Sequence, residues 1–101
     1  MNEQLEELVI EWAKARKIIP NAQPYTQLLK AVSELGELAD AEIKGDIDGT
    51  IDGIGDVLVC LIIYSSLRGL SITRCLASAY DEIKDRKGTL MPNGTFVKDT
   101  Q

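Results

Sequence analysis

The chain has 101 residues, 45% of them hydrophobic and 27% charged, a length and balance that fit one globular domain over 1–101 and exclude wholesale disorder or a disulfide-stapled miniprotein. Sixteen acidic residues against eleven basic ones leave a net charge of -5, a poor balance for gripping nucleic-acid phosphates or anionic lipid. Histidine is absent, which removes imidazole bases, Ser/His/Asp triads and the usual zinc sites, so any chemistry falls to carboxylates, lysines and hydroxyls.

Leu5, Leu8, Val9 and Trp12 recur at i, i+3, i+4 and i+7, which predicts a first helix from about Glu3 to Lys17 with Glu3, Glu6, Glu7 and Glu11 off its apolar stripe. The acidic start lacks the basic region and apolar core of a signal peptide, so a cytoplasmic location is expected. Pro20, Asn21 and Pro24 interrupt the period and predict a loop. From Pro24, the residues Leu28, Leu29, Val32, Leu35, Leu38, Ala39 and Ile43 keep a helical period up to Gly45, a C-terminal cap. Asp46, Asp48 and Thr50 each offer an N-cap oxygen to a third helix, whose apolar residues from Ile51 onward come to surround the axis.

The longest unbroken apolar run, Val57 to Tyr64, is far short of the roughly 20 residues that span a bilayer, so no membrane partner is expected. That run is too apolar for one small domain to cover, which predicts a homodimer or homotetramer. Arg68 and Gly69 end the third helix; Ser71 caps a fourth, with Ile72, Cys75, Leu76, Ala79 and Ile83, which stops at Lys87 and Gly88. Asn93-Gly94 between short apolar runs signals a small hairpin or arm. The expected architecture is all-α, a four-helix antiparallel bundle with a short C-terminal arm. Cys60 and Cys75 lie in apolar helical patterns and read as free thiols in a reducing compartment.

Glu34 and Glu37 stand about 60° apart around the second helix, and Asp52 and Asp56 about 40° apart around the third. A short connection at Gly45 makes the two helices antiparallel and brings the pairs level. Clustered carboxylates repel one another unless a cation is supplied, and hard oxygen ligands select magnesium or manganese. Acids at these spacings also occur on solvated helix faces, and spacing does not separate the two readings. Gly36 and Gly55, each beside an acid, interrupt the same helices; each costs about 1 kcal/mol against alanine, which implies close helix packing or room for a ligand.

The segments Lys30 to Asp40 (KAVSELGELAD), Gly55 to Val59 (GDVLV) and Ile83 to Gly88 (IKDRKG), with the Asn93 to Val97 tail, resemble the MazG-like nucleotide pyrophosphohydrolases of the all-α NTP pyrophosphatase superfamily, chiefly the short phage and bacterial members. The resemblance implies magnesium-dependent hydrolysis of a nucleoside triphosphate to a monophosphate and pyrophosphate, with manganese as an alternative ion. It also implies dimers or tetramers. The family motif, Glu-x-x-Glu on one helix and Glu-x-x-Asp on the next, binds the metal and orients the attacking water. Glu34 and Glu37 fall on the first half, and Asp56 on the closing aspartate. The opening glutamate of the second half falls on Gly53; Asp52, one residue earlier, is expected to substitute, with both positions pointing toward the face that carries Asp56. Glu37 or Glu34 would accept the water's proton, and Ser33 stands where a further glutamate is common. The resemblance further implies phosphate contacts from Lys30, Lys84 and Arg86, and an accessory role for Asp81. Trp12 is a candidate to stack on the base, against a plain core role for it and Tyr25. A catalytically weak helical binding or scaffold protein that kept the fold is the competing reading, and Gly53 is the feature that favours it.

Overall fold

The computed structural model describes residues 2–100 and consists of five helices and a small hairpin: α1 Glu3–Ala15, α2 Ile18–Asn21, α3 Pro24–Lys44, α4 Ile47–Leu67, α5 Ile72–Ile83, β1 Gly88–Leu90 and β2 Phe96–Lys98. Asn2 caps α1: its Oδ1 accepts the backbone N–H groups of Gln4 at 2.8 Å and Leu5 at 3.3 Å. The helix ends earlier than its period predicts, because the chain turns through a left-handed Lys17 at φ 64°. The segment expected to be loop then holds the short α2, whose Ile19 packs with Ala13 and Ile63 in the buried cluster.

Pro24 opens α3, where a missing N–H costs nothing, and Gly45 closes it in the left-handed conformation at φ 68°. Of the three candidate caps for α4, Asp46 serves: its Oδ1 accepts the Gly49 N–H at 2.9 Å, so the helix begins before Ile51. This tight connection folds α3 and α4 into an antiparallel hairpin, the most extensive interface in the molecule. Gly53 is buried where the two helices touch; a Cβ there would lie 2.9 Å from Leu38 Cβ and 3.2 Å from Leu38 Cα. Close helix packing is therefore the reason for Gly53. Gly36 and Gly55 face open space.

The expected all-α, bundle-like architecture holds, with α4 at its centre in contact with α1, α2, α3 and α5. The fifth helix touches α4 and α1 but has no contact with α3 among the described residues, and it stops at Ile83, short of the predicted Lys87. The C-terminal hairpin forms as expected, with Gly88 opposite Lys98, Thr89 opposite Val97 and Leu90 opposite Phe96, and with Gly94 at φ 89° in the turn. The Cα radius of gyration is 16.3 Å, where a compact chain of about 100 residues has ~13 Å. The excess comes with uncovered apolar surface. Leu28, Val32, Leu35 and Ile43 on α3, and Ile47, Ile51, Ile54 and Leu58 on α4, are all exposed, and at 100° per residue they share the side of the hairpin away from its carboxylates. The fourth helix is also long and apolar enough to cross a bilayer by length and composition, although aspartates and glycines in its first half confine its unbroken apolar run to Val57–Tyr64.

One buried charge ties the ends of the fold together. Glu6 is 5% exposed and accepts hydrogen bonds from Ser71 Oγ at 2.6 Å and Thr73 Oγ1 at 2.8 Å. The Ser71 hydroxyl, followed by Thr73 and the N–H groups at the start of α5, holds the carboxyl below its ordinary pKa against the opposing cost of burial. These partners lock α1 across the N-terminus of α5, where the helix dipole favours a negative charge.

A depressed pKa in the folded state makes this contribution complete above the unfolded pKa, near 4.5, and it is lost as pH falls through the folded value. Glu6→Gln should therefore lower Tm at neutral pH by several degrees, on the order of 1–2 kcal/mol. The gap from wild type should narrow below about pH 4. Melting curves at neutral and acid pH check this; a constant gap would show that the charge is not the source.

Candidate functional site

The helical hairpin delivers the four acidic candidates to one side of the molecule. Glu34 and Glu37 stand one turn apart on α3, Asp52 and Asp56 one turn apart on α4, and the antiparallel contact at Gly53 brings them level. Two adjoining depressions share Asp56. The first, about 540 Å³, has an α1 wall of Leu5, Leu8, Val9 and Trp12 and a far wall of Lys30, Glu34, Asp56 and Val59, with the buried Cys60. The second, about 380 Å³, runs toward the α3–α4 turn and holds Glu37, Asp52 and Asp56 together with Asp40 and Lys44.

Glu34 feels two of the other carboxyls. Glu34 is half-buried, and desolvation raises its pKa; Glu37, through hydrogen bonding and charge, and Asp56, through charge, push it further up, while Lys30 pulls the other way. A set of oxygen donors with excess negative charge fits a hard divalent cation. The thiol of Cys60 does not enter that chemistry: burial foremost pushes its pKa up and keeps it neutral. Among the described residues, no three acidic or thiol side chains converge closely enough, as they stand, to hold one ion. The carboxylates line a groove rather than close a cage.

The remaining sequence-derived candidates divide. Lys30 lies in the cleft beside Glu34, and Trp12 is on the cleft wall and 45% exposed rather than sealed in a core. Tyr25 is exposed outside the cleft. Lys84 pairs with Asp81 at 3.4 Å, and Arg86 lines a separate groove with Lys87 and Lys98. None of Lys84, Arg86 and Asp81 reaches the carboxylate groove within one chain, because α5 stops early and lies away from α3. Gly53 lines the same groove as Asp52 and Asp56, but it is buried against Leu38, so a side chain there would meet that residue, whereas Asp52 is exposed. What the sequence did not reveal is the apolar α1 wall: the Leu5, Leu8, Val9 and Trp12 stripe has the period of a core face, and much of it is open to the cleft instead.

The chain matches no protein-family model. A 61-residue stretch, 60% of this chain, is 33% identical to an uncharacterised 18.2 kDa protein of Haemophilus phage HP1 and spans 37% of that relative. The structure is similar to that of a MazG-like pyrophosphohydrolase from cyanophage S-2L, solved with dGDP and three catalytic Mn2+ ions per active site. That similarity has a TM-score of 0.67 over 97% of this chain and 96% of the other, at 21% identity. The chain thus shares the all-helical fold of a MazG-like pyrophosphohydrolase.

Because Gly53 sets the helix contact, Gly53→Glu should not supply a useful ligand. Its Cβ would meet Leu38 at 2.9 Å, and even Gly53→Ala should lower stability by about 1–3 kcal/mol through overpacking. Thermal melts of the two variants check this. Wild-type stability in Gly53→Glu, with unchanged metal affinity or better, would restore the view of position 53 as an open site.

Proposed function

We propose that this chain is a nucleoside triphosphate pyrophosphohydrolase dependent on a divalent metal, cutting the α–β phosphate linkage to leave a monophosphate and pyrophosphate. The observation that carries this reading is that Glu34, Glu37, Asp52 and Asp56 line two adjoining depressions on one side of the α3–α4 hairpin, one of which has an apolar, tryptophan-bearing wall. The fold shared with a pyrophosphohydrolase that binds a nucleotide and Mn2+ supports it.

Those four carboxylates are the residues that would hold Mg2+ or Mn2+. When bound, such an ion neutralises phosphate charge and acidifies a coordinated water. The protein's own part begins with Glu34 and Glu37, one turn apart on α3, either of which would accept the proton that the attacking water gives up. Lys30, one turn before Glu34 and in the same cleft, is placed to meet a phosphate oxygen. Leu5, Leu8, Val9 and Trp12 offer the base an apolar wall and keep that end of the cleft dry. Lys84 and Arg86 have no part in this scheme within one chain.

The apolar side of the hairpin belongs to the same reading. Exposed leucines, isoleucines and valines on both helices form a patch that a second copy of this chain would cover, giving a homodimer or homotetramer. Covering it also accounts for the apolar α4 without a bilayer, in keeping with a cytoplasmic enzyme.

Pyrophosphate release from a panel of nucleoside triphosphates in Mg2+ or Mn2+ tests the activity. Asp52→Asn and Asp56→Asn should each lose about 10²-fold or more in turnover, on the order of 3 kcal/mol, with helicity by circular dichroism intact. Wild-type turnover in Asp52→Asn would remove that residue from the site. Nucleotide binding without pyrophosphate release would favour the catalytically weak binding protein. For the assembly, light scattering at micromolar concentration should return at least twice the 11.1 kDa chain mass; a monomer would overturn it.

A further inference from the structure

Trp12 and Arg16 stand one turn apart at the C-terminal end of α1. The guanidinium carbon of Arg16 lies 4.3 Å from the centroid of the Trp12 ring. Its Nη1 donates to the Trp12 backbone carbonyl at 3.2 Å, and the same carbonyl accepts the Arg16 backbone N–H at 3.3 Å. The side chain is thus folded back onto the residue it covers. No carboxylate competes for it: the ion pair found among the described residues joins Lys84 and Asp81. Arg16 is absent from the cleft lining that includes Trp12, so the cation backs the indole from outside the cleft.

On the nucleotide reading of this cleft, on which the inference rests, we infer that Arg16 is a positioning residue for the base, holding Trp12 as a stacking platform with one usable face. A half-exposed indole on a helix surface would otherwise exchange rotamers, and ordering it would weaken binding. A planar, delocalised guanidinium covers an aromatic face; a compact ammonium does so less well. Arg16 touches neither phosphate nor metal ligand in this arrangement, so its effect is confined to the base end of the substrate.

Trp12 is the single tryptophan of the chain, so its emission reports on this site directly. The full chain is titrated in Mg2+ with α,β-methylene deoxynucleoside triphosphates, which resist cleavage, and with tripolyphosphate as a control without a base. Calorimetry gives the affinities independently of fluorescence. In the wild type, the base-bearing analogues should change Trp12 emission and tripolyphosphate should not. Arg16→Met should bind the analogues about two- to fivefold more weakly, the size of an exposed cation–π contact. Its tripolyphosphate affinity should be unchanged, and its Trp12 emission anisotropy in the free protein should fall. With cleavable substrate, the change should appear in KM rather than kcat, and Arg16→Lys should recover part of it. Equal analogue affinity in wild type and Arg16→Met overturns the inference alone, as does an equal loss toward tripolyphosphate, which would make Arg16 a phosphate contact. A wild type that binds no analogue by calorimetry overturns the nucleotide reading and this inference with it.

Discussion

The close antiparallel contact between α3 and α4 is the constraint on which the rest depends. Gly53 allows it, since a side chain at that position would meet Leu38. With the axes this near, and with Gly45 and Asp46 making the connection tight, residues equally distant from the turn come level. That is how Glu37 comes to share a groove with Asp52 and Asp56, and how Glu34 comes to sense Asp56. A glycine that looks like a missing ligand is, on this geometry, what places the carboxylates.

The same hairpin divides its surface cleanly. Its acidic side opens toward α1, which adds an apolar wall, and its opposite side is an uncovered strip of leucine, isoleucine and valine. Carboxylate repulsion on one side costs stability and apolar exposure on the other forgoes it, while the buried cluster of Ala13, Ile19 and Ile63 is small. On the proposed reading, a cation on the acidic side and a second copy on the apolar side would relieve these costs, and one pair of helices would couple stability to function.

Much of this was legible in the chain itself. Apolar periodicity located α3, and proline and glycine punctuation marked its ends; the acidic pairs followed from helix geometry once the short turn was recognised. Asn93-Gly94 located the hairpin. Three features were not legible, each for a physical reason. The burial of Glu6 depends on hydroxyls 65 and 67 residues away, and an acidic residue off an apolar stripe has the same local signature whether it is solvated or locked in place. The stripe of α1 has one period whether it faces a core or a cleft, so Trp12 read equally well as filler. Lys84 and Arg86 were expected at the phosphates from the resemblance alone; both follow the end of α5, which lies along α4 and α1, and Arg86 lines another groove.

The central claim is that carboxylates from both helices act as one metal site. Calorimetric titration of Mn2+ into the wild type, Glu37→Gln, Asp52→Asn and the double variant, under matched buffer and salt, addresses it most directly. The account predicts that each single change weakens binding severalfold or more, and that the double change costs less than the sum of the two because both act on one ion. Undiminished Mn2+ affinity in the double variant would contradict it.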